Sequence, residues 1–140
     1  MSFVRLIYAS RATAAFQPSS IQSILQAARR NNSQNGVTGV LCFNQLGFLQ
    51  CLEGKRSDVN RTFERILRDP RHDHAEIICY RYTDQREFEN WNMGYLQNNQ
   101  VMRDLLMRNT GSTEFLPLTL IPEDAFAILK DVRNIIEDSM

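Results

Sequence analysis

The chain has 140 residues, an ordinary apolar content, and sixteen basic residues balanced by sixteen acidic ones. That length suits one domain with a short extension and allows a real core. The balanced charge gives no bulk attraction to nucleic acid or anionic membrane, and no stretch approaches the roughly 20 apolar residues of a membrane span.

The start, Met1-Ser2-Phe3-Val4-Arg5-Leu6-Ile7-Tyr8, lacks the basic leader and long apolar run of a secretory signal. Cys42, Cys51 and Cys79 are odd in number, form no Cys-x-x-Cys and fall in predicted strands, where they read as small buried apolar residues. A reduced, cytoplasmic setting is the simplest expectation.

In chain order, Phe3 to Ser10 reads as a strand. Pro18-Ser19-Ser20 opens a helix with Ile21, Ile24, Leu25 and Ala28 on its inner stripe, and Asn35-Gly36 ends the connection. Val37 to Phe43 and Phe48 to Glu53 are strands joined by the turn Asn44-Gln45-Leu46-Gly47. A second helix, with Ser57 or Asp58 as cap and Val59, Phe63, Ile66 and Leu67 facing inward, stops at Asp69-Pro70. Glu76 to Tyr82 is a fourth strand and Trp91 to Leu96 a fifth. Two further helices are predicted, Val101 to Arg108 and Pro122 to Glu137, the latter with Ala125, Leu129, Val132 and Ile136 on one face. The order βαββαββ predicts an α+β, ferredoxin-like sandwich, a sheet with two helices on one face. The C-terminal extension is expected on the free sheet face or in an oligomer contact.

Several polar side chains interrupt this apolar pattern. Gln50 shares a strand face with Phe48 and Leu52, and Tyr8 with Val4 and Leu6. Asn31 and Asn32 follow Ala28 at plus three and plus four, so one or both amides face the sheet. A buried amide without partners costs about 1–3 kcal/mol. These groups therefore either satisfy one another or converge on a polar ligand. A phenol and amides offer both donors and acceptors, which suits a planar heteroaromatic with carbonyls and ring nitrogens. Arg65 and Asp69 either pair on the surface or, with His72, hold phosphate or ribityl oxygens. Trp91 and Met93 are expected on one face of the fifth strand. His72 and His74 have no ligand spacing to a carboxylate or Cys, so no metal site is expected. No phosphate-binding loop, dinucleotide fingerprint or nucleophile elbow occurs.

Taken together, Arg5-Leu6-Ile7-Tyr8-Ala9-Ser10, Asn31-Asn32, Asn35 to Leu41, Phe48 to Gly54, Ile66 to His72 and Trp91-Asn92-Met93 resemble the BLUF domains, which sense blue light using FAD. The resemblance covers about residues 1–97, with 98–140 similar to the tail of short stand-alone members. It implies a flavin ring between the two helices, packed by Ile24 and Ile66. Asn32 would bond its pyrimidine edge, with Asn31 nearby; Arg65, Asp69 and His72 would lie near the ribityl and phosphate end. Tyr8 would donate an electron and proton under light. Gln50, between Tyr8 and the flavin N5/O4 edge, would rearrange and leave an oxidised flavin with a new O4 hydrogen bond and a red-shifted spectrum. Trp91 and Met93 would relay the change. The middle residue of Trp-x-Met is often Ser in the family and is Asn92 here, which bears on how the signal leaves the domain.

The resemblance implies a photosensory protein rather than an enzyme, acting in trans on a downstream signalling protein or through a homo-oligomer, without direct contact to nucleic acid or membrane. A response-regulator-like protein, a cyclic-nucleotide enzyme and a transcription regulator are the partner classes considered. The competing readings are an acylphosphatase-like hydrolase using Arg5 with Asn31 or Asn32, and a flavin-binding or oligomer-forming module that does not signal.

Overall fold

The computed structural model describes residues 2–89, 91, 93–97 and 99–138. The strands are β1 (Phe3–Ala12), β2 (Thr38–Phe43), β3 (Gly47–Gly54), β4 (His72–Thr83) and β5 (Gly94–Gln97). The helices are α1 (Ile21–Asn35), α2 (Arg56–Leu67), α3 (Gln100–Thr110) and α4 (Pro122–Asp138). The sheet order is β4-β1-β3-β2-β5, antiparallel except where β5 runs parallel to β2. β1 and β2 are parallel but separated by β3, so this is the split βαβ arrangement of the ferredoxin-like sandwich.

The three inner strands are buried on both faces, and two clusters fill those faces. On one, Leu6, Tyr8, Leu41, Phe43 and Leu52 meet Ile21 and Leu25 of α1 and Val59 of α2. On the other, Ile7, Val40, Cys42, Leu49 and Cys51 meet Met102, Leu105 and Leu106 of α3 and Ala125, Ile128, Leu129 and Val132 of α4. The tail thus closes the sheet face that α1 and α2 leave open. Val40-Leu41-Cys42 in β2 alternates between the clusters as the pleat requires. The three cysteines are free thiols. Burial pushes the Cys42 thiol up to about 12 and the Cys51 thiol well above its ordinary range, so both stay protonated packing groups.

Local chemistry sets the boundaries. Gly36 takes φ +65° at the end of α1, where its N–H reaches Asn32 O, and Gly111 takes φ +79° after α3. Asn99 caps α3 by accepting from the Met102 N–H at 3.0 Å. Lys55, and neither Ser57 nor Asp58, stands at the α2 N-cap, because the chain turns into the helix directly after Gly54. Asp58 lies instead in the first turn, where its charge suits the helix dipole.

Two strand expectations are corrected. β4 begins at His72, four residues before Glu76. Its polar start pairs with the end of β1, Ala12 against His72 and Arg11 against Asp73, with register shifts along the way. The Arg11–Asp73 pair, at 2.9 Å through both oxygens, replaces the apolar contacts by which a strand is usually read. β5 begins at Gly94, so Trp91 and Met93 precede it rather than share one of its faces. Asn92 and the side chain of Ile136 lie outside the described residues.

Leu129 is fully buried at the tail–sheet contact. Leu129→Ala is expected to lower unfolding free energy by about 2–5 kcal/mol in a urea titration.

Candidate functional site

Tyr8 and Gln50 are direct cross-strand partners on β1 and β3. Both side chains point to the α1–α2 face, and the Tyr8 hydroxyl donates to Gln50 Oε1. This orientation leaves the Gln50 amide nitrogen to contact Met93 Sδ at 3.4 Å. A primary amide carries two hydrogens, so one remains for another group.

These residues form the floor of a solvent-open cleft between α1 and α2. Ile24 and Ala28 of α1 and Ile66 of α2 supply apolar walls, with Leu41 and Phe48 from the sheet. Asn31 and Asn32 bring amides along α1; Asn32 is buried and Asn31 is half-buried. The position of Ala28 on the inner stripe carries both to the sheet side, as their spacing predicts.

Arg65, Asp69, Arg71 and His72 complete the cleft. Asp69 pairs with Arg71, at 2.6 Å from Nη2, and not with Arg65. Arg71, missed in the sequence, also donates to Ser23 Oγ at 3.3 Å and so ties the turn after α2 to α1. The signal lay in Asp69-Pro70-Arg71: Asp69 Oδ1 accepts the Arg71 N–H at 2.9 Å, a short-range turn bond. Arg65 takes part in no ion pair among the described residues, which leaves its guanidinium available for an anionic group at the cleft. His72 is engaged at both nitrogens. Its Nε2 is 2.7 Å from Ile66 O and its Nδ1 is 2.7 Å from Ser10 Oγ. A carbonyl only accepts, so Nε2 carries the proton. His72 therefore braces the cleft through Ile66 and Ser10.

Trp91 and Met93 part company across the sheet. Met93 belongs to the cleft-side cluster, and Trp91 packs in the tail-side cluster stacked on Phe88. Gly94 permits this: a Cβ there would lie 2.6 Å from Trp91 Cε3. Met93, and not Trp91, is thus the neighbour of Gln50. Arg5 points to the tail side, bonded to Glu53 and 4.5 Å from the Phe126 ring centroid. That separates it from Asn31 and Asn32 by the thickness of the sheet, and removes the anion site the hydrolase reading needs.

Burial, and secondarily the charge of Asp69, raise the Tyr8 pKa well above its ordinary 10.0. The phenol is thereby kept neutral, as a donor to Gln50, around neutral pH.

Apolar walls and a floor with both donors and acceptors suit a planar heteroaromatic cofactor. A family profile described as sensors of blue-light using FAD matches residues 3–94. The chain belongs to that family, the BLUF domains, and is a blue-light photoreceptor that uses FAD. It is 37% identical over 84 residues to the blue light- and temperature-regulated antirepressor BluF of Escherichia coli K12, covering 59% of this chain and 21% of that protein. The photo-activated state of BlsA superposes with a TM-score of 0.84 and 34% identity, over 93% of this chain and 94% of that one. The dark-state structure of BlrB, a BLUF protein, gives 0.79 and 28% over 99% and 98%. The two structural likenesses run past the family profile into the tail.

Because the unfolded chain releases the Tyr8 proton first, its contribution to stability is complete below pH 10.0 and declines as pH climbs toward the higher folded value. Denaturant titrations across that range are expected to show the decline, and Tyr8→Phe is expected to remove its part.

Proposed function

We propose that Tyr8, Gln50 and Met93 form the switch of this photoreceptor, and that its output leaves through the approach to β5 and the C-terminal tail. The observation that carries the reading is the Gln50 amide, which accepts from Tyr8 with one end and contacts Met93 with the other. FAD, when bound, supplies blue-light absorption and an electron acceptor. Ile24 and Ile66 would wall its ring, Asn31 and Asn32 would bond its edge, and Arg65 would balance its phosphates. Asp69 and His72 act there by holding Arg71 and Ile66.

Burial stops Tyr8 losing its proton to solvent in the dark. Tyr8 would be the donor of both an electron and a proton to light-excited FAD, its O–H held in the dark by Gln50 Oε1. The Gln50 amide can then reorient, because it carries an oxygen at one end and a nitrogen at the other. Turning it exchanges which end meets Tyr8 and which meets Met93. Two hydrogen-bond patterns in one side chain make the bistable element a switch needs. Met93 stands one residue before β5, and Trp91 stands three before it on the tail side. A change at Met93 is thereby passed from one sheet face to the other.

Residues 1–97 act as the sensor and 98–140 as its output face. The output goes to a protein in trans or to a second copy. A transcription regulator is the partner class best matched by the antirepressor relative. Among the described residues no helix is long and apolar enough to cross a membrane.

Tyr8→Phe and Gln50→Ala are each expected to retain FAD and to lose the reversible red shift under blue light. A parent-like photocycle in either variant excludes that residue from the switch. Met93→Ala is expected to keep the red shift but lose light-dependent co-purification of partner protein, and an undiminished partner response would exclude Met93 from the relay.

A further inference from the structure

The most fully buried carboxylate among the described residues lies outside the cleft. Glu53 has 0% exposure and sits on β3 three residues after Gln50. Strand alternation turns Gln50 and Leu52 to the cleft and Cys51 and Glu53 to the tail. One strand thus carries the switch on one face and this charge on the other.

The Glu53 carboxylate is bonded on two sides. Its Oε2 accepts from Arg5 Nε at 2.8 Å. Its Oε1 accepts the Phe88 N–H at 2.8 Å, and both oxygens share the Glu87 N–H at 2.9 and 3.1 Å. These two amides belong to the β4–β5 connection, which leads to Trp91. The bonded neighbours continue into α4. The Arg5 guanidinium lies over Phe126, Glu87 pairs with Arg133, and Phe88 stacks on Trp91 with ring centroids 6.1 Å apart.

We propose that Glu53 is a positioning residue for the light response, clamping the β4–β5 connection at Glu87 and Phe88 so that a change at Met93 reaches Trp91 and α4. This role rests on the relay reading of Met93. Stability alone is a poor reason for Glu53, because a buried ion pair is often replaced by apolar side chains without loss. An apolar pair would fill the space between β1, β3 and Phe126. It could not accept two backbone N–H groups. A connection freed from those bonds would absorb a displacement at Met93 instead of passing it on.

Trp91 is the single tryptophan of the chain, so its emission reports this segment without ambiguity. Two double variants separate the clamp from the ion pair. Arg5→Met with Glu53→Gln removes both charges and keeps an acceptor for the connection. Arg5→Met with Glu53→Leu removes both charges and the acceptor. Flavin absorption and the Trp91 emission maximum are compared in the dark and under blue light. Parent and Gln variant are expected to show a flavin red shift with a shifted Trp91 maximum. The Leu variant is expected to keep FAD and the red shift and to lose most of the Trp91 response. A parent-like Trp91 response in the Leu variant overturns the clamp. A parent with the red shift but no Trp91 response overturns the relay beneath it, and a parent with no red shift overturns the photoswitch itself. In the parent, hydrogen exchange at the Glu87 and Phe88 amides is expected to be slowed by at least about 100-fold relative to an unstructured chain. Exchange there at the unstructured rate also overturns the clamp, whether or not the variants fold.

Discussion

The hydrogen bond from Tyr8 to Gln50 depends on two strands that are buried on both faces from Val4 to Ser10 and from Gly47 to Gly54. β1 and β3 are paired along eight residues, from Val4 against Gly54 to Arg11 against Gly47, and that register sets Tyr8 directly across from Gln50. A slip of one residue would turn both side chains to the opposite face. Register is fixed because both faces of these strands are buried, the one by α1 and α2, the other by α3 and α4. The tail therefore contributes to the cleft without touching it.

A sheet packed on both faces also bears on the proposed route for output. Gln50 and Met93 lie on the cleft side, Trp91 and Glu53 on the tail side. The crossing takes place in the chain just before β5, a short edge strand of four residues. Such a segment has fewer ladder bonds to break than β1 or β3 and is suited to move while the central strands hold. Close packing turns a small shift at one side chain into a discrete repacking at its neighbour.

Polar groups are handled differently on the two sides. In the cleft, His72 and Asp69 are bonded within the protein, while Gln50 keeps an amide hydrogen beyond its contact with Met93. A pocket that satisfied every group internally would hold a cofactor only by its apolar walls. On the tail side the carboxylate of Glu53 is saturated by Arg5, Glu87 and Phe88. The first arrangement leaves room for a change of partners; the second resists one.

The sequence by itself determined the element order, the inward stripe of α1, most of that of α2, and the set of misplaced polar residues from which the site is built. Those features follow from periodicity, from the αL glycine after α1, and from amides standing where apolar residues should be. Leu67, expected to face inward, is 48% exposed at the end of α2, and Thr62 is buried instead. Tertiary structure decided what sequence spacing cannot express. It set Asp69 against Arg71 rather than Arg65, engaged both nitrogens of His72, and extended β4 through polar residues whose partners are 62 residues away. It also sent Trp91 and Met93 to opposite faces, because the chain there is not yet a strand and the two-residue alternation does not apply. Periodicity reports which residues share a face of one element. Which side chains meet across elements depends on register, turn geometry and packing, and those are settled only when the whole sheet is assembled.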